Sequence, residues 1–432
     1  MTTSAWGSNR LTGRSRAAVV FAVLWLVHPA GSASAETRAS CNLAGGTSGS
    51  PTDLDHALSN KACRAFILGD GYYTSASIGR AGITLRAAHH CQAHVEPELE
   101  VQADDVVVDG VSITSSETAL SVHNPGVQIL NTCIQGFGKT EYANGIWVFL
   151  DALDPNKHVI IKGNTLDDWG GVQYAGGIAV GKAADDRTAP TEISVEILDN
   201  RVTNGPTADG LFSAAIQIFH PALIAGNYVD QVNNAAYENK TYNSRIVCNE
   251  ASHVYGGALY NREDSNNLWE NNLIHDSELG VEHFKGQNVV YRGNVIYNVK
   301  HPGLIKDFED GASTDITIEN NTFYHSDGAA GWIWDTTGGG PLGNILWRNN
   351  IWDAVNGAAI DPAGGAASAW DEEDNIFWQT TPPTGTTGAK GTSLTTDPRL
   401  VAPPSDFTPQ AGPAKGKGAP WPLPCQGRFT TR

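Results

Sequence analysis

The chain has 432 residues, with 28 Lys and Arg against 46 Asp and Glu, a formal charge of −18 at neutral pH. That balance excludes a general affinity for nucleic acid. It leaves room for an acidic sugar held by a local cluster, because exposed charges are screened beyond about 10 Å at 0.1 M salt.

Residues 1–35 hold Arg10, Arg14 and Arg16, an apolar run from Ala17 to Val27, and then Ala33-Ser34-Ala35. This is the layout of a secretory signal peptide, with an apolar core too short to span a membrane. The expectation is an exported protein, extracellular or periplasmic, cleaved near Ala35, monomeric and not inserted in a membrane. Six cysteines (Cys41, Cys63, Cys91, Cys133, Cys248 and Cys425) in an exported chain imply up to three disulfides among 15 connectivities.

Residues 36–63 read as a lead-in and cap. Ser50-Pro51-Thr52-Asp53 offers an N-cap, a proline at the first helical position and an acid at the third, which predicts a short helix through LDHALSNKA. Residues 64–380 are short alternating runs broken by Gly, Asn and Asp, and residues 381–432 form a closing tail. From Val127 a pattern recurs in which Gly, Asn or Asp precedes or accompanies an asparagine followed by an apolar residue. Its asparagines are Asn131, Asn164, Asn200, Asn227, Asn272, Asn294, Asn321 and Asn350, spaced by 33, 36, 27, 45, 22, 27 and 29 residues. A minimum period with variable insertions is what stacked coils with loops of differing length produce. Asparagine suits such corners because it tolerates left-handed backbone and hydrogen-bonds along a stack. The longest apparent inserts carry Tyr142, Tyr237 and Tyr242, which could wall a groove.

Each corner leads into a strand opened by a small residue, as in GIWVF, GGIAV, GGALY, LGVEH and PGLIK. The pattern resembles the right-handed parallel β-helix shared by pectate lyases, polygalacturonases and alginate lyases. The fold expected is therefore an all-β solenoid of about 10 coils over Phe66 to Trp378, with an N-terminal helical cap.

Three successive strands end in charge, in GGALYNRED, LGVEHFKGQ and PGLIKDFEDG, and AGWIWDT follows. Stacked strands lie about 4.8 Å apart, so Arg262, Glu263, Glu282, His283, Lys285, Lys306, Asp307, Glu309 and Asp335 should form one patch. Trp332 and Trp334 could stack on sugar rings beside it. If Glu282 and Phe284 face outward, His283 faces inward, since one residue of slip exchanges the faces.

A narrower likeness is to the alginate lyase and chondroitinase B family, carried by Glu278, Lys285, Gly293-Asn294 and Lys306 at matching offsets. Gly280 stands where the family has a second acid, and Lys306 where it has an arginine. The resemblance implies β-elimination on an acidic polysaccharide. Lys285 would be the base, with His283 and Asp307 as further candidate catalytic groups. Lys306 would be the acid or a substrate clamp, Arg262, Trp332, Trp334 and Asp335 would bind substrate, and Glu278 with Glu282 would hold a calcium ion. A lysine serves as a base only where positive charge or desolvation lowers its pKa. Two further classes remain open. One is a glycoside hydrolase using paired carboxylates among Asp307, Asp310 and Asp335, although the Asp-Asp and Gly-His-Gly motifs of polygalacturonases are absent. The other is a non-catalytic carbohydrate-binding or surface solenoid.

Overall fold

The computed structural model describes residues 39–181, 192–206, 212–262, 265–306, 313–326, 330–335, 342–362, 370–383 and 392–425. The expected signal peptide and Asp307 lie outside them, as do the side chains of Lys306, Trp332, Trp334 and Asp335.

One coil shows why the sequence winds. Arg245–Val247, Glu250–Val254 and Gly257–Asn261 are strands. They pair in parallel with Leu268–Glu270, Leu273–His275 and Leu279–His283 of the next coil. At the first corner Cys248 takes a left-handed backbone (φ 59°) and turns the chain. Asn249 then buries its side chain. Its backbone N–H and Nδ2 both donate to Asn272 Oδ1, at 2.9 and 3.1 Å, and Nδ2 also donates to Ile224 O at 3.0 Å. The same link repeats from Asn164 through Asn200, Asn227, Asn249, Asn272, Asn294, Asn321 and Asn350 to Asn375. A buried amide is tolerated only when its hydrogen bonds are made, and here each rung satisfies the next.

Repeated through the described residues, this unit builds a right-handed parallel β-solenoid of about 12 turns with almost no helix. One face is a 14-stranded parallel sheet from Ser40–Leu43 to Trp370–Glu373. The fold class is the expected one, and the turn count is slightly higher. Two of the rungs, Asn249 and Asn375, were not read from the sequence. Asn131 is not a rung. It occupies the left-handed position (φ 50°), and the Thr132 N–H takes the place in the ladder by donating to Asn164 Oδ1 at 2.8 Å.

The interior is filled by columns of Val, Ile and Leu such as Val101, Val122, Val148, Val180 and Ile218, each essentially without solvent exposure. The cap helix is short, Leu54–Leu58, and Asp53 rather than Ser50 caps it, accepting from the His56 N–H at 2.9 Å. Ser50 and Thr52 are drawn into β-bridges with Thr47 and Tyr73, so the helix starts later than expected.

Three disulfides form: Cys41–Cys63, Cys91–Cys133 and Cys248–Cys425. The last ties the tail to a corner. Phe407, Ala419 and Leu423 of the tail pack on Leu273 and Val295, with Tyr297, Tyr324 and Trp421 against them. The tail thus lies along a flank of the solenoid, where its aromatic groups cover apolar residues that would otherwise face water.

Candidate active site

Parallel register fixes which residues share a row. Gln217, Glu238, Tyr260 and Glu282 align on four successive strands, and Leu304 holds the next position. At the ends of these strands come Lys240, Arg262, Phe284 and Lys306. Their neighbours Ile218, Asn239, Asn261, His283 and Ile305 form the row between, buried throughout. Alternation along a strand therefore turns Glu238, Lys240, Arg262 and Glu282 toward one surface and His283 into the core.

Small residues stand at the start of these strands. Ala214 and Ala235 pack with Tyr260 and Phe284. A Cβ on Gly257 would meet Glu282 Cβ at 2.7 Å and its Oε2 at 3.0 Å, so glycine there makes space for the Glu282 carboxylate. The surface along these stacked strands, lined by charges from consecutive coils over that packed cluster, is the candidate groove.

Glu238 is the electrostatic centre of the described part of this groove. Only 2% exposed, it is ion-paired through Oε1 to Lys240 Nζ at 3.0 Å and to Arg262 Nη1 at 3.7 Å. Gln217 Nε2 donates to its other oxygen. Removing one partner from such a buried cluster would leave an uncompensated charge. Aromatic rings steady both cations: Lys240 Nζ lies 4.9 Å from the Phe219 centroid and the Arg262 guanidinium 6.0 Å from that of Phe284.

Beneath the groove the interior turns polar. Asn239 Nδ2 donates to Asn261 Oδ1 at 3.3 Å, and Asn267 Nδ2 to the same oxygen at 3.1 Å. Asn261 Nδ2 donates to Lys285 O at 3.1 Å, so this internal stack holds the backbone that carries Lys285. His283 sits above it with Nδ1 3.0 Å from the Tyr291 hydroxyl, and burial pushes its imidazole down to about 3.

The sequence-expected residues are therefore only partly brought together. Arg262 and Glu282 line the groove, and Lys285 follows the strand end that positions it. Lys306 follows in the same row one coil on, and Lys306 and Asp335 are in register. His283 is a core residue, so its expected contact with substrate is corrected. Trp332 and Trp334 share register positions with Gly303 and Ile305. Glu278 is exposed and paired with Lys300 at 2.8 Å. It stands four residues before Glu282, about 13 Å along an extended strand. Ligands of one calcium ion must converge to about 2.3–2.6 Å from it. The pair therefore does not fit as a joint calcium site, and no step below is routed through a metal. Gly280 cannot supply the missing acid either: a Cβ there would meet Pro302 O at 2.5 Å and Ile296 Cγ2 at 2.7 Å. Among the described residues, the one cluster of three metal-capable groups is His90, Cys91 and Cys133, where both sulfurs are in a disulfide.

Glu238 and Lys240 were missed because Val232 to Ser252 looked like an insert. It contains an ordinary coil whose corner, Cys248-Asn249, carries cysteine where the others have Gly, Asn or Asp. For the same reason Tyr237, expected on a wall, is fully buried, with its hydroxyl 2.9 and 2.8 Å from the carbonyls of Asn227 and Glu250.

Residues 194–352 match the family model described as right handed beta helix region. No curated protein matches the chain in sequence. Among solved structures, a PL6 alginate lyase in complex with a trisaccharide superposes with a TM-score of 0.59 at 13% identity, covering 89% of this chain and 93% of that one. The PL6 family alginate lyase AlyGC gives 0.62 at 15% identity, with 89% of this chain spanning 57% of that one. The catalytic domain of a GH87 α-1,3-glucanase gives 0.51 at 12% identity, covering 83% and 69%. At these identities the likeness is one of fold, and lyases and a hydrolase share it.

Proposed function

We propose that the chain is an exported polysaccharide lyase that cleaves a uronic-acid-containing polymer by β-elimination in this groove. One observation carries the reading: Glu238 and Glu282 share a row, with Tyr260 between them, and Lys240 and Arg262 follow at the ends of two of these strands, so that charges of both signs gather on three consecutive coils. The same architecture in PL6 alginate lyases supports it at the level of the fold. Export rests on the leader, and among the described residues no helix is long and apolar enough to cross a membrane.

In this reading the polymer lies along the axis. Arg262 and Lys240 neutralise a uronate carboxylate, which acidifies the proton on the adjacent ring carbon. Lys285 takes that proton, the electron pair forms the ring double bond, and the glycosidic oxygen leaves on the neighbouring carbon. Lys306 stands one coil on to protonate the departing oxygen or clamp it. Proton transfer of this kind contributes about 10²–10⁴-fold per group.

The test follows ultraviolet absorbance and reducing ends together on alginate, polygalacturonate and chondroitin or dermatan sulfate. Both signals should rise on one polymer, chelator should leave them unchanged, and Lys285→Ala should lower the rate about 10²–10⁴-fold with the fold intact. Reducing ends without absorbance would sink the lyase reading. It would favour the second one, hydrolysis by paired carboxylates among Asp307, Asp310 and Asp335, held about 6.5–9.5 Å apart as in inverting enzymes.

A further inference from the structure

The groove strands are each preceded, two residues earlier, by a position that has no need of a large apolar side chain. Tyr142, Tyr174 and Phe212 occupy it ahead of Asn144–Val148, Gly176–Val180 and Ala214–Ile218, which pair in register. Their rings stack, Tyr142 on Tyr174 at 5.0 Å and 9°, Tyr174 on Phe212 at 6.1 Å and 13°. One coil on, the position holds Asn233, and the next holds Tyr255. The four are 56, 42, 52 and 51% exposed, and among the described residues every large exposed aromatic side chain is in this one column.

Such a column has a cost. It leaves apolar surface in water, and it holds Tyr142 and Tyr174 in left-handed backbone (φ 63° and 60°), about 1–2 kcal/mol each for a residue with a Cβ. Asn233 adds to it. The residue is 7% exposed, and its Nδ2 has no hydrogen-bond partner, whereas nearly all buried polar groups are satisfied. Asn233 lies between Phe212 and Tyr255, which are two coils apart, about 9.6 Å. Two ring-face contacts of about 3.5–4.0 Å fit inside that gap.

We infer that this column is a saccharide-binding strip on the groove wall remote from the cations, and that Phe212, Asn233 and Tyr255 form a slot for one pyranose ring of the polymer. The apolar C–H face of such a ring meets aromatic faces, and rotation of the Asn233 side chain, whose Nδ2 is buried without a partner in the free chain, brings that amide to a ring hydroxyl as its acceptor. The repeating rise of the coils suits a polymer of repeating sugars, and the strip runs into the groove at the starting ends of the strands whose far ends carry Lys240 and Arg262. The inference rests on the groove being a polysaccharide site, and not on which reaction occurs there.

Affinity electrophoresis of the full chain in native gels containing alginate, polygalacturonate or chondroitin sulfate tests it, with thermal melting to verify folding. The wild-type chain should be retarded by one polymer. A Phe212→Ala/Tyr255→Ala double variant should bind it about five- to tenfold more weakly, while Tyr255→Phe keeps the retardation. Asn233→Ala should weaken binding without lowering the melting temperature, an outcome that a structural role would reverse. Retardation of the wild type without cleavage would contradict the lyase reading and leave the strip standing. Absence of retardation in every gel, an unchanged double variant, or a double variant that turns a dimer into a monomer in gel filtration would overturn the strip.

Discussion

Asn272 shows how much one side chain holds in this molecule. Its Oδ1 accepts from the N–H and Nδ2 of Asn249, and its own Nδ2 donates to Ile246 O and Asn294 Oδ1, all without solvent. Asn272→Ala orphans several buried groups at once and should cost about 2–4 kcal/mol in chemical denaturation, whereas Asn131→Gly, at an exposed left-handed turn, should cost well under 1 kcal/mol. His283 sets a pH dependence. Its folded pKa of about 3 lies below the ordinary 6.5 because burial disfavours the cation. Its contribution is thus fully present above pH 6.5 and is lost as pH falls toward 3. His283→Asn, which continues the Asn239 and Asn261 stack without titrating, should flatten the fall in melting temperature between pH 6.5 and 4; an unchanged slope would contradict the burial argument. The residue types of the site were legible because charge recurs at strand ends. Their facing was not, because GVEHFK alternates equally well in either phase and only packing selects Val281 and His283 for the core.

At the scale of elements, the corner asparagines revealed the coils at most places where a Gly, Asn or Asp preceded them, although Asp374-Asn375 at the last rung was not read. The signal failed at Cys248-Asn249, where a disulfide to the tail places cysteine in the left-handed position, and with it went the strand that supplies Glu238 and Lys240. The tail itself read as an end cap, since its aromatic residues carry no periodicity that would show which flank they cover. Its packing has a measurable consequence. Asp353 lies on a strand of that flank, and burial, with Asp397 of the tail adding repulsion, pushes its carboxyl up to about 6 from the ordinary 3.8. A raised carboxylate pKa stabilises below pH 4, and that contribution disappears as pH rises through 6. Asp353→Asn should accordingly raise stability at pH 7.5 by about 1–2 kcal/mol, within the roughly 2.7 kcal/mol that two units allow, and change little at pH 4. Equal gains at both pH values would rule out ionisation as the cause.

On the scale of the whole molecule, a solenoid brings residues distant in sequence into rows one coil apart, and each coil contacts mainly its neighbours. That is why the fold could be read from repeats alone, while the chemistry could not: fold does not imply function, and lyases and hydrolases both use this one. The proposed elimination is supported here by the cations Lys240 and Arg262, held by the buried Glu238 on the two coils before that of Glu282. The most direct test is mass spectrometry of the oligosaccharides released from whichever uronate polymer the wild-type chain shortens. Elimination predicts that each cut leaves one new end lighter by a molecule of water and carrying a double bond, and that Lys285→Ala yields no such ends. Saturated ends on every product would contradict the account and favour hydrolysis by paired carboxylates.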